Sequence, residues 1–520
     1  MPRNRGIIDI VCLVKVVYMD IKRTKLNIGV SISLQIITTV VTIVVRRYLL
    51  QCCGNEVNGL NALYISIIGF LSVADLGIGT AITFSMYRPI VEGNQSQVAA
   101  LYHYLGKAYH IVGTIILTVG LALMPWLKYF AKDYILVDAN IYITFLIMLI
   151  SVVITYFFAN KKSLINAHKN DYLTTIITQG SLILQYILQI VVLYITKSFE
   201  AYLICRIVAG CIQWISTEIV ARKKYRNIIK IKTKVDCETK RELKKNIKAM
   251  FMHKIGHALV NSVDSVVISA FVGVVSLGEF SNYSTILASM NGIVMLVFTS
   301  ITSVVGHMMV QEDSSKTKRY FEVFHLLNFS IGIVFFLGYY AVIDSFIAMI
   351  FSPDLVVSKS ISVVITINGF VQFMRRNALT FRDATGQFYG DRWKPLFEGI
   401  CNIVLSIILV NILGVPGVIV ATIITNLLIC YVIEPYILYK NVFNVSPKQY
   451  YLKNYAFVGV FCVALAIMDI ISVSFKQPIF NLLINGVLSI VVSLGISSII
   501  FLINKNALFD MKELLKLDKR

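Results

Sequence analysis

Lys254, His257, Asn261 and Asp264 follow one another at steps of three, four and three within an otherwise apolar segment. That spacing puts an ammonium, an imidazole, an amide and a carboxylate on one face of a helix. A second stripe carries Gln35, Thr38 and Thr42 and reaches Arg46; a third carries Asn368, Gln372 and Arg375, followed by Arg376, Arg382 and Asp383. Arg206 stands alone in another apolar run, and Asp75 interrupts "FLSVADLGIGTAITFSMY" just ahead of Gly77 and Gly79. Basic groups offer charge-assisted hydrogen bonds to an anion; a carboxylate can titrate or hold a cation. Ionisable groups inside a membrane are costly and normally face a bundle interior or water, so each is a candidate lining residue of a pathway. Ordinary structure competes with that reading. Lys254 and Arg46 are near enough to segment ends to snorkel, Asp264 and Arg206 can pair between helices, and inner-leaflet anchoring accounts for part of the Arg376 to Asp383 cluster. Asp75 can pair with a basic group, cap a helix loosened by the glycines, or titrate.

The elements that would position these residues follow from composition. The chain has 520 residues, of which 57% are hydrophobic and 15% charged, with a mean hydropathy of +0.75, far too apolar for a soluble protein of this size. Runs of about 20 apolar residues, the length that spans hydrocarbon, recur throughout. The backbone must satisfy its own hydrogen bonds there, so the spans are helices. Fourteen are expected: Leu26 to Leu50, Gly59 to Phe84, Tyr109 to Ala131, Asn140 to Asn160, Leu173 to Ile195, Phe199 to Ala221, Ala249 to Gly273, Ser284 to Val310, Phe324 to Phe351, Val356 to Phe381, Trp393 to Leu413, Gly414 to Tyr436, Leu452 to Ser472 and Pro478 to Ile503. The eleventh and twelfth are separated only by "LGVPG".

With the amino terminus inside, most of the 48 Lys and Arg fall on the inward side, as the positive-inside rule requires. Both termini are then cytoplasmic. The net charge of +20 is then mostly topological and not a nucleic-acid footprint; its densest block, Arg222 to Lys248, is expected to be a cytoplasmic connector, read as topogenic charge facing anionic lipid heads ahead of the alternative, a specific partner site. The first residues resemble a signal peptide only superficially, since Asp9 and Lys15 interrupt a short apolar run and no small-residue cleavage site follows. They read as a cytoplasmic or interfacial extension, with Met19 an alternative start. The nine cysteines show no paired framework or metal spacing.

The chain also repeats itself at an offset of 219: Gly54 and Gly59 recur as Gly273 and Gly278, and Tyr64 as Tyr283. Six spans separate the copies, an even number, so they share an orientation and are related by an axis along the membrane normal. The expected fold is an all-α integral membrane protein of two parallel, pseudo-repeated six-helix bundles plus two C-terminal helices. Its parts are an extension at 1–25, an N-terminal bundle at 26–221, the connector at 222–248, a C-terminal bundle at 249–440, and the added helices and tail at 441–520. In such a plan the pathway lies between the halves.

No phosphate-binding Gly-x4-Gly-Lys-Ser/Thr loop, zinc motif or Gly-x-Ser-x-Gly occurs. The outward loops are too short for a lipid-linked glycan polymerase or ligase, which argues against an enzyme. No cofactor and no metal site is expected.

The run "RRYLLQCCGNEVNGLNALYISIIGFLSVADLGIGTAITFSMYRPIVEGN", from Arg46 to Asn94, resembles the amino-terminal signature of bacterial polysaccharide (O-antigen type) flippases. An Arg ends the first helix, a Gly-x4-Gly-Leu turn follows, and an acidic segment leads to a Met-Tyr-Arg-Pro exit. A second stretch, "FRDATGQFYGDRWKPLFEGICNIVLSIIL" from Phe381 to Leu409, is similar to that family's join between spans ten and eleven. The family belongs to the multidrug/oligosaccharidyl-lipid/polysaccharide exporter superfamily. The resemblance implies transfer of a lipid-linked oligosaccharide, usually on undecaprenyl pyrophosphate, from the inner to the outer leaflet of the bacterial cytoplasmic membrane, beside membrane lipids and other polysaccharide assembly proteins. Arg46, Arg206, Lys254 and Arg375 are then the expected head-group contacts. A multidrug or cation antiporter, or a peptidoglycan-precursor flippase of the same superfamily, is the alternative.

Overall fold

The computed structural model describes residues 5–72, 77–241, 243, 247, 262–311, 313–385 and 393–504, and of these the side chains other than those of 5–32, 293, 296–297, 299–304 and 307–311. Every regular element among them is helical: α1 Arg5–Leu71, α2 Ile78–Val91, α3 Gln95–Phe130, α4 Ile141–Ala167, α5 Asp171–Thr196, α6 Phe199–Lys230, α7 Ser262–Val272, α8 Val274–Gln311, α9 Ser314–Ile350, α10 Lys359–Met374, α11 Arg376–Thr385, α12 Lys394–Leu413, α13 Val415–Phe443, α14 Lys448–Ile471 and α15 Pro478–Ile503. Ten of the described helices are long and apolar enough to cross a membrane. The protein is an all-α, multi-pass membrane protein.

Expected spans outside those ten have local reasons. Residues 73–76 of the second and the seventh as far as Asn261 lie outside the described residues; the tenth breaks at Arg375 into α10 and α11. The join at "LGVPG" reverses the chain. Gly414 adopts φ 64°, ψ −139°, where a side chain would be strained, and a Cβ on Gly417 would overlap the Leu409 carbonyl. Helices α12 and α13 therefore meet backbone to backbone at the turn, and further along Asn402 donates to Thr422 Oγ1 at 2.8 Å.

The lipid environment inverts the usual burial pattern, and α15 shows it. Ile479, Leu483, Val487, Ile490 and Leu494 are exposed, while Asn485, Ser489, Ser493 and Ser497, spaced by four, are buried. Small polar residues let two helices approach closely where lipid supplies no hydrophobic drive. Ser493 Oγ donates to the Ile333 carbonyl of α9 at 3.3 Å, so α15 is fastened by its polar stripe.

The chain divides into two compact units: unit 1 is Met1–Tyr48, Gly77–Thr118 and Leu146–Ile247, and unit 2 is Leu49–Leu76, Val119–Phe145 and Lys248–Arg520. In unit 1, Met86, Tyr102 and Leu105 pack with Leu164, Ile165 and Ala221 into one apolar cluster. Unit 2 is centred on the aromatic stack of Phe329, Phe370, Phe457 and Phe461.

Within unit 2 the sequence repeat becomes a physical contact. Gly54 (φ 86°, ψ 172°) and Gly273 (φ 142°, ψ 165°) take up the same left-handed geometry, each opening the helical segment that follows. A Cβ on Gly59 would overlap the carbonyl of Val274, and a Cβ on Gly278 would overlap the carbonyl of Asn55. Asn55 and Val274, like Gly59 and Gly278, are partners at the 219 offset, so the two turns press on each other reciprocally, as in an isologous two-fold interface. Asn58 breaks that symmetry: its amide donates to Gly278 O, Ser281 Oγ and Asn282 Oδ1, each at 3.1 Å, whereas its counterpart is Leu277. The paired tyrosines are both fully buried, Tyr64 donating to Ile141 O at 2.6 Å and Tyr283 to Asp344 Oδ1 at 2.7 Å.

Candidate functional site

Unit 2 buries a closed ring of four charges. Arg375, where α10 gives way to α11, grips Glu434 of α13 through two nitrogens, at 2.5 and 3.1 Å. Lys394 at the start of α12 lies 2.5 Å from the same carboxylate and 3.1 Å from Glu398 one turn on. Glu398 closes the ring at 3.5 Å from Arg375. The Glu434, Lys394 and Glu398 side chains are at most 5% exposed and Arg375 14%. Asn426 Oδ1 accepts from Arg375 Nη1 at 2.5 Å, inside a π-helical stretch of α13, Asn426–Cys430, a local widening that often accompanies functional positions. Two cations alternate with two anions, so the ring is neutral and its members are occupied by one another. Asn368 and Gln372, placed with Arg375 on one face by the sequence, bond each other one turn apart at 3.2 Å, and Gln372 is exposed.

A second polar centre joins α7, α12 and α13. The Thr422 hydroxyl donates to the Asp264 carboxylate, 3.0 Å from Oδ2, and accepts from the Asn402 amide at 2.8 Å. Asn402 and Ser406, a turn apart on α12, are completely buried, yet among the described residues Asn402 Oδ1 and Ser406 Oγ have no hydrogen-bond partner. An orphaned buried oxygen costs free energy unless something satisfies it. One carboxylate with hydroxyl and amide oxygens is a donor set for a hard cation, and a single negative charge matches a monovalent one.

The third centre lies in unit 1. Arg206 of α6 opens into a cavity of about 170 Å³ lined by Ser151 and Thr155 of α4, Thr178, Ser181 and Gln185 of α5, and Gln213 of α6. No carboxylate lines it, and among the described residues none pairs with Arg206. Gln213 donates to Thr178 Oγ1 at 3.1 Å. A guanidinium among hydroxyls and amides offers an anion a fork of donors and a sugar several acceptors.

Arg46 is half-buried in α1 of unit 1, beside Tyr186 and Tyr202. Asp75, Lys254, His257 and Asn261 lie outside the described residues. The structure thus assigns Arg206 to a cavity, Asp264 to a polar centre and Arg375 to the ion ring. Sequence reasoning passed over Lys394, Glu398, Asn402, Thr422 and Glu434, although Glu434 in "LLICYVIEPYILYK" is an intramembrane carboxylate of the kind that signals function or pairing.

No protein-family model matches the sequence, and no curated protein matches it. Solved structures do share the fold. An inward-facing multidrug resistance MATE family transporter of the MOP superfamily matches with a TM-score of 0.61 at 12% identity, covering 84% of this chain and 98% of its own. The lipid II flippase MurJ, in an inward closed conformation, matches with a TM-score of 0.62 at 18% identity, covering 90% of this chain and 99% of its own. The chain has the fold of these transporters over nearly their whole length.

Proposed function

We propose that this chain is a flippase that carries a lipid-linked oligosaccharide, on undecaprenyl pyrophosphate, from the inner to the outer leaflet of the bacterial cytoplasmic membrane, with both termini cytoplasmic. A sugar head with a pyrophosphate cannot cross hydrocarbon unaided, because its hydroxyls and charge would shed water without replacement. A protein must supply that replacement while the prenyl tail stays in lipid. The observation that carries the reading is the Arg206 cavity, which offers an uncompensated guanidinium among six hydroxyl and amide side chains. At about 170 Å³ it is below the ~300–1,000 Å³ usual for a whole small ligand, so it engages part of the head group at a time. The likeness in fold to a lipid II flippase and the polysaccharide-flippase signature around Gly54 and Gly59 agree with a lipid-linked substrate. Alternating access between two states is the mechanism, in a membrane shared with other polysaccharide assembly proteins.

The test is flipping of a defined undecaprenyl-linked glycan in proteoliposomes. Arg206→Gln is expected to slow it about tenfold or more, as loss of a charge-assisted phosphate contact does, with Arg206→Lys partly restoring it. Unchanged flipping in Arg206→Gln would remove the cavity from the pathway.

The Asp264 centre favours an ion-driven cycle, which an antiporter of the same fold would share. Asp264 with Thr422, Asn402 and Ser406 binds the coupling cation, and its loading biases the carrier towards one state. Asp264→Asn is expected to leave the protein folded while abolishing acceleration of transport by a sodium or proton gradient. A gradient response equal to that of the wild type would exclude this centre from coupling.

A further inference from the structure

Unit 1 contains a larger cavity, lined by none of the residues around Arg206, whose chemistry neither the ion ring nor the transport reading uses. It measures about 500 Å³ and is lined by His103, Lys107 and His110 of α3, Lys232 and Lys234 of the segment after α6, and Asn160 of α4, among others. Thr155 of the Arg206 cavity and Asn160 of this one are five residues apart on α4, but no residue lines both. No carboxylate lines this one.

Two features make it a built site and not a run of surface lysines. The first is spacing: His103, Lys107 and His110, at steps of four and three, share one face of α3. The second is the fixing of the opposite wall. After α6 the chain is extended at Ile231 (φ −69°, ψ 117°). It is tied down where His103 Nε2 meets Ile231 O at 3.0 Å and where Thr233 Oγ1 donates to Ser96 O at 2.7 Å. Ile231 and Val235 pack against the apolar core of unit 1. Between these anchored residues, Lys232 and Lys234 line the cavity together with Thr233. Nearby carboxylates are occupied: Glu218 is held by Lys161 at 2.6 Å and Arg222 at 2.5 Å, and Asp236 accepts from the Thr239 amide at 2.7 Å. Among the described residues, Lys107, Lys232 and Lys234 have no ion-pair partner. The floor is polar, with Asn160 and Tyr102 almost entirely buried, and a Cβ on Gly106 would crowd the Asn160 amide, 2.8 Å away.

We propose that this cavity binds a phosphate-bearing anion of about diphosphate size, clamped between the α3 face and the Lys232 to Lys234 segment. With His103 held on the Ile231 carbonyl, the ammonium groups of Lys107, Lys232 and Lys234 and the His110 imidazole converge without a counter-charge in the cavity lining and select for several negative oxygens on one small group. Either a lipid phosphate or a soluble diphosphate presents that chemistry, and the site is independent of whether the protein flips glycolipids.

The test measures binding of inorganic pyrophosphate to full-length protein in zwitterionic nanodiscs, in the Arg206→Gln background so that the other proposed phosphate contact is silent. Saturable binding is expected, weakened at least about tenfold in Lys107→Gln/Lys232→Gln/Lys234→Gln, as removal of three exposed charge contacts allows, and retained when the same lysines become arginine. Repeating the titration in nanodiscs containing phosphatidylglycerol identifies the occupant. Loss of apparent affinity there supports the site with a lipid phosphate in it, and undiminished affinity supports the site with a soluble anion. Equal binding by the parent and the triple Gln variant, or no saturable binding in zwitterionic discs, would overturn the proposal.

Discussion

Alanine at Gly59 or at Gly278 is expected to cost about 3 kcal/mol, the upper end of ordinary overpacking penalties, and to lower the melting temperature of the purified protein by several degrees. The reason is what the new methyl group meets. At Gly59 it would overlap the Val274 carbonyl and crowd the Gly278 nitrogen; at Gly278 it would overlap the Asn55 carbonyl and the Asn55 side chain. A flexible side chain can rotate out of the way, but backbone can yield only if α1 and α8 separate. That separation would also stretch the bonds from Asn58 to Gly278, Ser281 and Asn282 and from Asn55 to Val275. Because one displacement relieves both overlaps, the double alanine variant is expected to cost clearly less than the sum of the singles. Gly459→Ala is the control, since a Cβ there has nothing within 4 Å. Melting of Gly59→Ala indistinguishable from that of Gly459→Ala would show that the reciprocal contact is absent in the membrane protein.

Cutting the ion ring on one side only should be about as damaging. Glu434→Leu leaves Arg375 and Lys394 facing each other with Glu398 alone to neutralise them, at 3.5 and 3.1 Å. Removing one partner of a buried pair typically costs about 3–5 kcal/mol, because the remaining charge has lost its water and its counter-ion. Arg375→Met/Glu434→Leu is the informative companion. It takes out one cation and one anion and leaves Lys394 and Glu398 paired at 3.1 Å, so thermal melting should place it nearer the wild type than Glu434→Leu alone. If instead the double variant is the less stable by the sum of its parts, the four charges do not act as a unit. Held in this ring, Arg375 fixes α10 to α12 and α13.

Much of the architecture was legible in the sequence because its causes are local. Apolar length dictates helices, and the recurrence of Gly54 and Gly59 as Gly273 and Gly278 gave the repeat its position. The site was legible only in part. Asp264 and Arg206 stood out as intramembrane charges, and each has a polar setting in the structure. Of the stripe of Asn368, Gln372 and Arg375, the first two bond each other one turn apart, while Arg375, still helical in its backbone, reaches Glu434 on another helix. Lys394 and Glu398 stand at the start of a span, and nothing near them in the chain announces Glu434.

By itself, then, the sequence determined the membrane class, the helical spans and the duplicated glycine turns, since hydropathy, spacing and the need for left-handed glycine are properties of short stretches. Only the tertiary structure decided which groups meet. Arg375 finds Glu434 at a separation of 59 residues, and Asp264 finds Thr422 at 158. Helical periodicity specifies the face a residue occupies, whereas a partner is chosen by which other face packs within hydrogen-bonding distance.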